Sequence, residues 1–362
     1  MYYITKETRT SSELSNIFNG TTLSDTYYMI NTEDSTYKTY QTRQIKNKIT
    51  MYESTLKLLG EKIKAFLKEH PNPSEMYKHY KIPKASGGFR DIDEPEDDLK
   101  ELQREIADTL QSAGVYTTEW AYAYVSRRSA IDMAEKHKNA KFVLKLDLKN
   151  FFPSIDAELL KTHLMNNYAI TLVNEFVNID DIIKIALLDN GLPQGSPLSP
   201  YLSNLVMVDF DYRLRNAIAP SRVYTRYADD IIISSEKYIS KYSMTEGIKG
   251  LLEDNYDGKI KLNYSKIKLL KNTQRLYIVG VKLNKDNELT FGHEKKKKLK
   301  LDLYNLFKAY EQHTACKEEA QELLGLFTYM KQIEPEYANY LERKLLKQFN
   351  STAKTIYKHF KF

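Results

Sequence analysis

The chain has 362 residues, 42% of them hydrophobic and 28% charged, which is enough apolar content for a real core and unlike a disordered or fibrous chain. Its single cysteine, Cys316, excludes an intramolecular disulfide and any cysteine-cluster metal site. The formal charge of +6 leans toward a polyanionic partner without identifying one.

No apolar run approaches the roughly 20 residues of a membrane helix, and the opening "MYYITKETRTSSELSN" lacks the apolar core of a signal peptide. With the lone cysteine, these point to a reducing, cytoplasmic location and no membrane partner. Residues 1–50 are polar and give no assignment beyond an N-terminal extension. "MYESTLKLLGEKIKAFLKEH" carries apolar residues at helical spacing and stops before "PNP". "YKHYKIPKASGGFRDIDEP" reads as two strands around a Gly-Gly turn. "DDLKELQREIADTLQSA" is a helix with acidic residues in its first turn, where the macrodipole favours them. "KFVLKLDLKNFFPSI" opens as a strand, and "GLPQGSPLSPYLSNLVMVDFDYRL" is a loop running into an apolar helix. "SRVYTRYADDIIISS" reads as a β-hairpin with both aspartates at its turn. "GIKGLLEDNYDGKIKLNYSKIKLL" is helix then strand, and "RLYIVGVKLNKDNELTFG" a further hairpin. From about residue 293 the pattern is helical and begins with Lys295, Lys296, Lys297 and Lys298. Strands and helices mix without strict alternation, so the fold class is α+β.

The adjacent carboxylates of "RYADDIIIS" sit against apolar strand, where an unpaired charge costs several kcal/mol. An isolated Asp-Asp is ordinarily a solvated turn. Asp147, at the end of "KFVLKLD", offers another reading. If its strand lies beside the hairpin, Asp147 and Asp229 can hold two divalent cations, and the cations remove the repulsion. Carboxylate oxygens suit Mg²⁺, with Mn²⁺ as the alternative ion. Two such ions about 4 Å apart clamp the attacking and leaving oxygens of a phosphoryl displacement.

"IPKASGGFRDIDEP", "LDLKNFFPSI", "GLPQGSPLSPYLSN" and "YADD" occur in that order. In this the chain resembles the reverse transcriptases of the bacterial branch, over about residues 77–345. The resemblance implies a right-hand polymerase fold with fingers, a ferredoxin-like palm and a helical thumb. The division would be 1–50 extension, 51–140 fingers with part of the palm, 141–292 palm and 293–362 thumb. Asp147 and Asp229 match the metal-binding aspartates, with the Leu148 carbonyl as a further ligand and Asp230 as the supporting neighbour. Phe152 matches the aromatic residue under the sugar of the incoming dNTP, where a ring excludes a 2′-hydroxyl. Strand alternation would send Phe151 to the other face. Gln194 and Gly195 match the nucleotide-contacting loop, with Asn204 behind it either supporting the site or simply polar on its helix. Lys84 and Arg90 match the triphosphate grip. Lys266 matches the lysine that protonates the leaving pyrophosphate, although Ile267 replaces the usual threonine. Lys295 to Lys298 would lie along a template–primer duplex.

The implied activity is RNA-directed DNA synthesis on a dedicated noncoding RNA, giving a DNA product in anti-phage defence. A typical retron enzyme is the neighbouring reading, and a template-independent, protein-primed polymerase of the abortive-infection type a further one. Two departures count against the retron. Met133 stands where retrons carry Asn in the element that keeps Ala134 and His137, and Ile278-Val279-Gly280 replaces Val-Thr-Gly. The 50–75-residue region before the fingers also looks long for a minimal retron enzyme. With no RNase H, integrase or zinc-endonuclease pattern, the partners left open are a second copy of the chain or a separate effector protein.

Overall fold

The computed structural model describes residues 35–83, 87–271, 276–284, 288–349 and 351–359, with backbone alone for 35–42 and 357. In chain order the elements begin with helices α1 (Ser35–Met51) and α2 (Glu53–Glu69), then strands β1 (Tyr77–Pro83) and β2 (Phe89–Pro95). Helices α3 (Asp97–Ser112) and α4 (Ala130–Lys136) precede strand β3 (Phe142–Lys149). Three short helices follow, α5 (Ala157–Met165), α6 (Tyr168–Val173) and α7 (Ile179–Ala186), then α8 (Ser199–Val206) and α9 (Val208–Ala217). The hairpin β4 (Val223–Tyr227) and β5 (Asp230–Ser235) leads to α10 (Lys241–Tyr256), β6 (Lys261–Leu262) and β7 (Lys268–Lys271). Strands β8 (Leu276–Ile278), β9 (Val281–Leu283) and β10 (Leu289–Thr290) and helices α11 (His293–Glu311), α12 (Lys317–Ile333), α13 (Pro335–Phe349) and α14 (Ala353–His359) complete the chain. No described helix is long and apolar enough to cross a membrane.

The chain divides into two compact units. One takes residues up to Arg128 with Leu144–Leu269, the other Ser129–Val143 with Leu270–Phe362.

In the first unit, β1 and β2 pair antiparallel, Tyr77 opposite Pro95 and Pro83 opposite Phe89, as the Gly-Gly turn predicts. A five-stranded sheet carries the strand order β4-β5-β3-β6, with β7 also paired to β3, and its β4–β5 and β3–β6 pairs are antiparallel. Its strands are rich in Val, Ile and Leu because both faces are covered, and Ile231, Ile232 and Ile233 are all buried. Helix α3 buries Leu99, Leu102, Ile106 and Leu110 at helical spacing, with Asp97 and Asp98 in its first turn. Helix α5 starts where Asp156 accepts the Leu159 N–H, and α10 where Ser240 accepts that of Ser243.

In the second unit, the late hairpin is a three-stranded sheet in the order β10-β9-β8. At its β8–β9 turn Val279 (φ 45°) and Gly280 (φ 83°) both take the left-handed region, as a two-residue hairpin turn demands. Leu299, Leu303, Leu306, Phe307, Leu324, Phe327 and Leu341 form one core among α11, α12 and α13. In α4, Met133 and Ala134 are buried, as is His137 at its end. Met133 is therefore a packing position.

Candidate active site

The first unit brings Asp147, Asp229 and Asp230 together, because β3 lies between β5 and β6. Tyr227 pairs with Asp230, so a two-residue loop of Ala228 and Asp229 closes the hairpin. Only Asp229 lies in the turn, while Asp230 is the first residue of β5. The left-handed conformation falls on Ala228 (φ 54°), at a steric cost of about 1–2 kcal/mol for an L-residue. Two contacts hold the turn in that conformation. The Leu148 N–H donates to the Asp229 carbonyl at 3.0 Å, and Arg226 Nη1 donates to the Ala228 carbonyl at 3.2 Å.

Arg226 belongs to a buried network that reading along the chain did not find. Its Nε and Nη2 donate to the two oxygens of Asp211, each at 2.8 Å, and Nη1 also donates to Asn204 Oδ1 at 2.9 Å. Thr118 and Tyr224 hydroxyls complete the Asp211 shell, both at 2.6 Å. Asn204 Nδ2 donates to the Ala123 carbonyl at 2.8 Å, so Asn204 supports the turn at one remove. The same strand is covered by residues 120–122, where Arg226 N donates to Trp120 O and Tyr122 N to Arg226 O. That cover takes up an otherwise open sheet edge. Tyr124 follows directly, with φ 58°, and its hydroxyl is raised in pKa by burial and by the Asp229 charge.

Asp147 is held at both carboxylate oxygens. Asn263 Nδ2 donates to Oδ1 at 3.0 Å and the Lys266 ammonium to Oδ2 at 2.7 Å, while the Asn263 N–H donates to the Asp147 carbonyl at 2.7 Å. Burial raises the Asp229 carboxyl, the Asp147 charge adds to the rise, and Lys266 and Arg90 oppose it. Burial pushes Asp230 up to about 6, with Asp229 and Asp147 adding to it against Lys145 and Lys266. These carboxyls lack full charge compensation, and their all-oxygen donor set fits Mg²⁺ or Mn²⁺. Among the described residues no three His, Cys, Asp or Glu side chains form a ready-made cation cage. In its place an ammonium sits on Asp147.

The nucleotide-contacting candidates divide. Gly195 adopts φ +134°, and a Cβ there would come 2.6 Å from the Asp93 carbonyl oxygen, so glycine is required where this loop meets β2. Asp93 N donates to the Gln194 carbonyl at 2.7 Å, tying the loop to the same strand. Ser196 Oγ anchors the loop to the buried Gln103 at 2.8 Å. Arg90 is exposed on β2 opposite Ile82 and acts on the Asp229 charge. Lys84 lies outside the described residues. Phe151 and Phe152 are not in a strand: β3 ends at Lys149 and a 3₁₀ turn begins at Phe152. Asn150, at φ 48°, takes the chain out of the strand ahead of Pro153. The two rings are not sent to opposite faces: their centroids lie 5.6 Å apart, with Phe151 buried and Phe152 half-buried.

In the second unit the lysine run also divides. Lys296 pairs with Glu334 at 2.7 Å and lies over the Tyr337 ring, and Lys295 lies over Phe291. Lys297 and Lys298 are exposed. The Lys296 ammonium ties α11 to the α12–α13 junction.

Residues 82–283 match the family model described as reverse transcriptase (RNA-dependent DNA polymerase). Retron Ec83 reverse transcriptase of Escherichia coli is 30% identical over 321 residues, covering 85% of this chain and 97% of that one. Retron Ec73 reverse transcriptase of Escherichia coli is 30% identical over 296 residues, covering 79% and 92%. Retron Mx65 reverse transcriptase of Myxococcus xanthus is 29% identical over 292 residues, covering 75% and 65%.

Proposed function

The chain belongs to the reverse transcriptases, and from that premise we propose that it copies a dedicated noncoding RNA into DNA, as a retron enzyme. Membership carries the polymerase fold of that family and RNA-directed DNA polymerase activity, with RNA as template and DNA as product. The observation that carries the site reading is the juxtaposition of Asp147 with Asp229, fixed by the backbone bond from Leu148 N to Asp229 O. In the reaction a primer 3′-hydroxyl attacks the α-phosphorus of a dNTP, and pyrophosphate leaves. Arg90, with Lys84, offsets the triphosphate charge. The Gln194-Gly195 backbone lines the nucleotide, and Phe152 lies under its sugar. Lys266 is placed to give a proton to the pyrophosphate. Asp147 and Asp229, with Asp230 and the Leu148 carbonyl beside them, would hold the divalent cations, Mg²⁺ in the first instance. When bound these supply charge stabilisation at the reacting oxygens. Lys297 and Lys298 would contact duplex phosphates.

The two departures from the retron pattern fall on residues outside the metal and nucleotide candidates. Met133 is core. Val279 replaces threonine at a turn position with another β-branched residue of similar size. Both fit a retron enzyme with altered packing. The anti-phage role rests on the family resemblance alone.

The test is to purify the protein from its host with its bound nucleic acid and add Mg²⁺ and labelled dNTPs, with and without RNase. An Asp229→Ala/Asp230→Ala control runs alongside, and the product is sequenced. A DNA complementary to one co-purified RNA, absent from the control, is the expected result. Random or homopolymeric DNA that survives RNase would replace it with untemplated, protein-primed synthesis.

A further inference from the structure

Lys266 and Asp147 form an asymmetric pair. The Asp147 side chain is 9% exposed and the Lys266 side chain 60% exposed, so the ammonium reaches a buried carboxylate from the open side. The backbone that carries the lysine is fixed. Asn263 binds Asp147 through both its main chain and its side chain, Ser265 Oγ donates to Asn263 Oδ1 at 2.7 Å, and Lys266 N donates to Asn263 O at 3.0 Å. Lys241 Nζ holds the Ile267 carbonyl just beyond, at 3.0 Å. The turn is anchored while the lysine side chain, 60% exposed, has solvent to swing into. Asp147 has no such freedom.

From this arrangement we propose that Lys266 is a resident counter-ion: it occupies the cation position of Asp147 in the resting protein and is displaced when a divalent cation loads. A divalent cation and an ammonium crowded onto one carboxylate oxygen repel each other, so a cation entering at Oδ2 drives the ammonium off. Asn263, a neutral donor on Oδ1, stays and keeps the carboxylate in one orientation. The released ammonium is then free to meet an anionic group of the substrate, which places its proton-donating role after metal loading. This deepens the polymerase reading and rests on it.

The experiment counts Mn²⁺ bound to the full-length protein without nucleotide, from the electron paramagnetic resonance of the free ion. Lys266→Met is expected to tighten Mn²⁺ binding by about fivefold, the scale of one partly exposed ion pair. Lys266→Arg, which keeps the charge, is expected to stay within about twofold of the wild type. Lys145→Met is the control for the general field. It removes an equal charge that acts on Asp230, whereas the two Asp147 oxygens are held by Asn263 and Lys266. Its effect is expected to stay under about twofold as well. In the wild type, the ¹⁵N resonance of the Lys266 ammonium is expected to move to the free-lysine position on saturation with Mg²⁺. Equal tightening in Lys266→Met and Lys145→Met, or a Lys266 resonance that does not move while the ion binds, overturns the proposal. Neither readout needs DNA synthesis, so a failed RNA-templated reaction and a failed displacement are separate results.

Discussion

Arg226 and Asp211 meet in a two-point ion pair with no solvent on either side chain, Nε and Nη2 each 2.8 Å from a carboxylate oxygen. Burial alone would lower the guanidinium pKa, and Asp211 more than reverses that. The third nitrogen reaches Asn204 and the Ala228 carbonyl, so the pair fixes the strained residue next to Asp229.

Asp211→Ala is expected to cost about 3–5 kcal/mol, because it leaves a buried guanidinium uncompensated. An Asp211→Leu/Arg226→Met double variant is expected to recover much of that stability but little polymerase activity, since the turn at Ala228 stays unheld. Urea unfolding and a primer-extension assay read the two effects. A single variant within 1 kcal/mol of the wild type, taken as about the size of one ordinary hydrogen bond, would remove the pair from the account.

Gly195→Ala places a methyl 2.6 Å from the Asp93 carbonyl oxygen at a positive φ. The loop and β2 have to separate, which displaces Arg90 on the same strand. An increase in KM for dNTP of roughly tenfold, about 1.4 kcal/mol, is expected with a smaller fall in kcat. Steady-state kinetics check it, and an unchanged KM would show that the loop gives way at no functional cost.

Phe152→Ala is expected to relax sugar discrimination. The ring is half-buried at the start of a 3₁₀ turn and packs on the buried Phe151 ring. Losing it opens space for a 2′-hydroxyl, so the ratio of rNTP to dNTP incorporation should rise at least about tenfold, about 1.4 kcal/mol. Sequencing products made from mixed nucleotide pools measures the ratio. If it stays flat, another residue faces the sugar.

What the sequence makes legible, and what it hides, follows from range. The hairpin around Asp229 shows itself because apolar β-branched runs flank a turn, and Asp147 ends an alternating strand. The Gly87-Gly88 turn marks β1 and β2 for the same local reason. Nothing local in "SRVYTRYADD" marks Arg226. In the structure Tyr224, Thr225 and Arg226 are buried in succession, and a strand closed on both faces needs a carboxylate for its arginine. Nothing local in "VDFDYRL" marks Asp211 as that carboxylate. Asn263 and Glu334 are hidden alike, since their partners lie far away in sequence.

The pH dependence of stability should carry a histidine limb. Burial lowers His163 to about 4, against a hydrogen bond that its ring N–H donates to the Asn255 carbonyl, which opposes the fall. The unfolded chain takes up this proton as pH drops through the ordinary value of 6.5, while the folded first unit does not until about 4. Stability is therefore full above 6.5 and is lost as pH falls from there toward 4, by about 1.4 kcal/mol per unit. His163→Phe, packed on the Tyr256 ring already beside it, is expected to flatten that part of the profile. Denaturant midpoints at pH 7.5 and 5 for both proteins make the comparison. Parallel profiles would assign the acid limb to other groups.

Glu334 closes the start of the α-helical part of the second unit. Its Oε1 accepts from the Thr290 hydroxyl at 2.7 Å and the Phe291 N–H at 2.8 Å, and its Oε2 from Lys296 at 2.7 Å. Burial would raise its carboxyl, and these three donors outweigh that and lower it. Glu334→Ala is expected to cost about 2–3 kcal/mol, and Glu334→Gln less, because the amide oxygen still accepts from Thr290 and Phe291. Hydrogen exchange along 293–311 should quicken in the alanine variant first. The same geometry separates neighbouring lysines. Lys297→Ala should weaken nucleic-acid affinity and lower its salt dependence by about one unit of slope. Lys296→Ala should instead act through exchange and melting, because its charge is already spent on Glu334. If the two lysine variants lose nucleic-acid affinity alike, with exchange unchanged in both, the ion pair does not decide how the run is used.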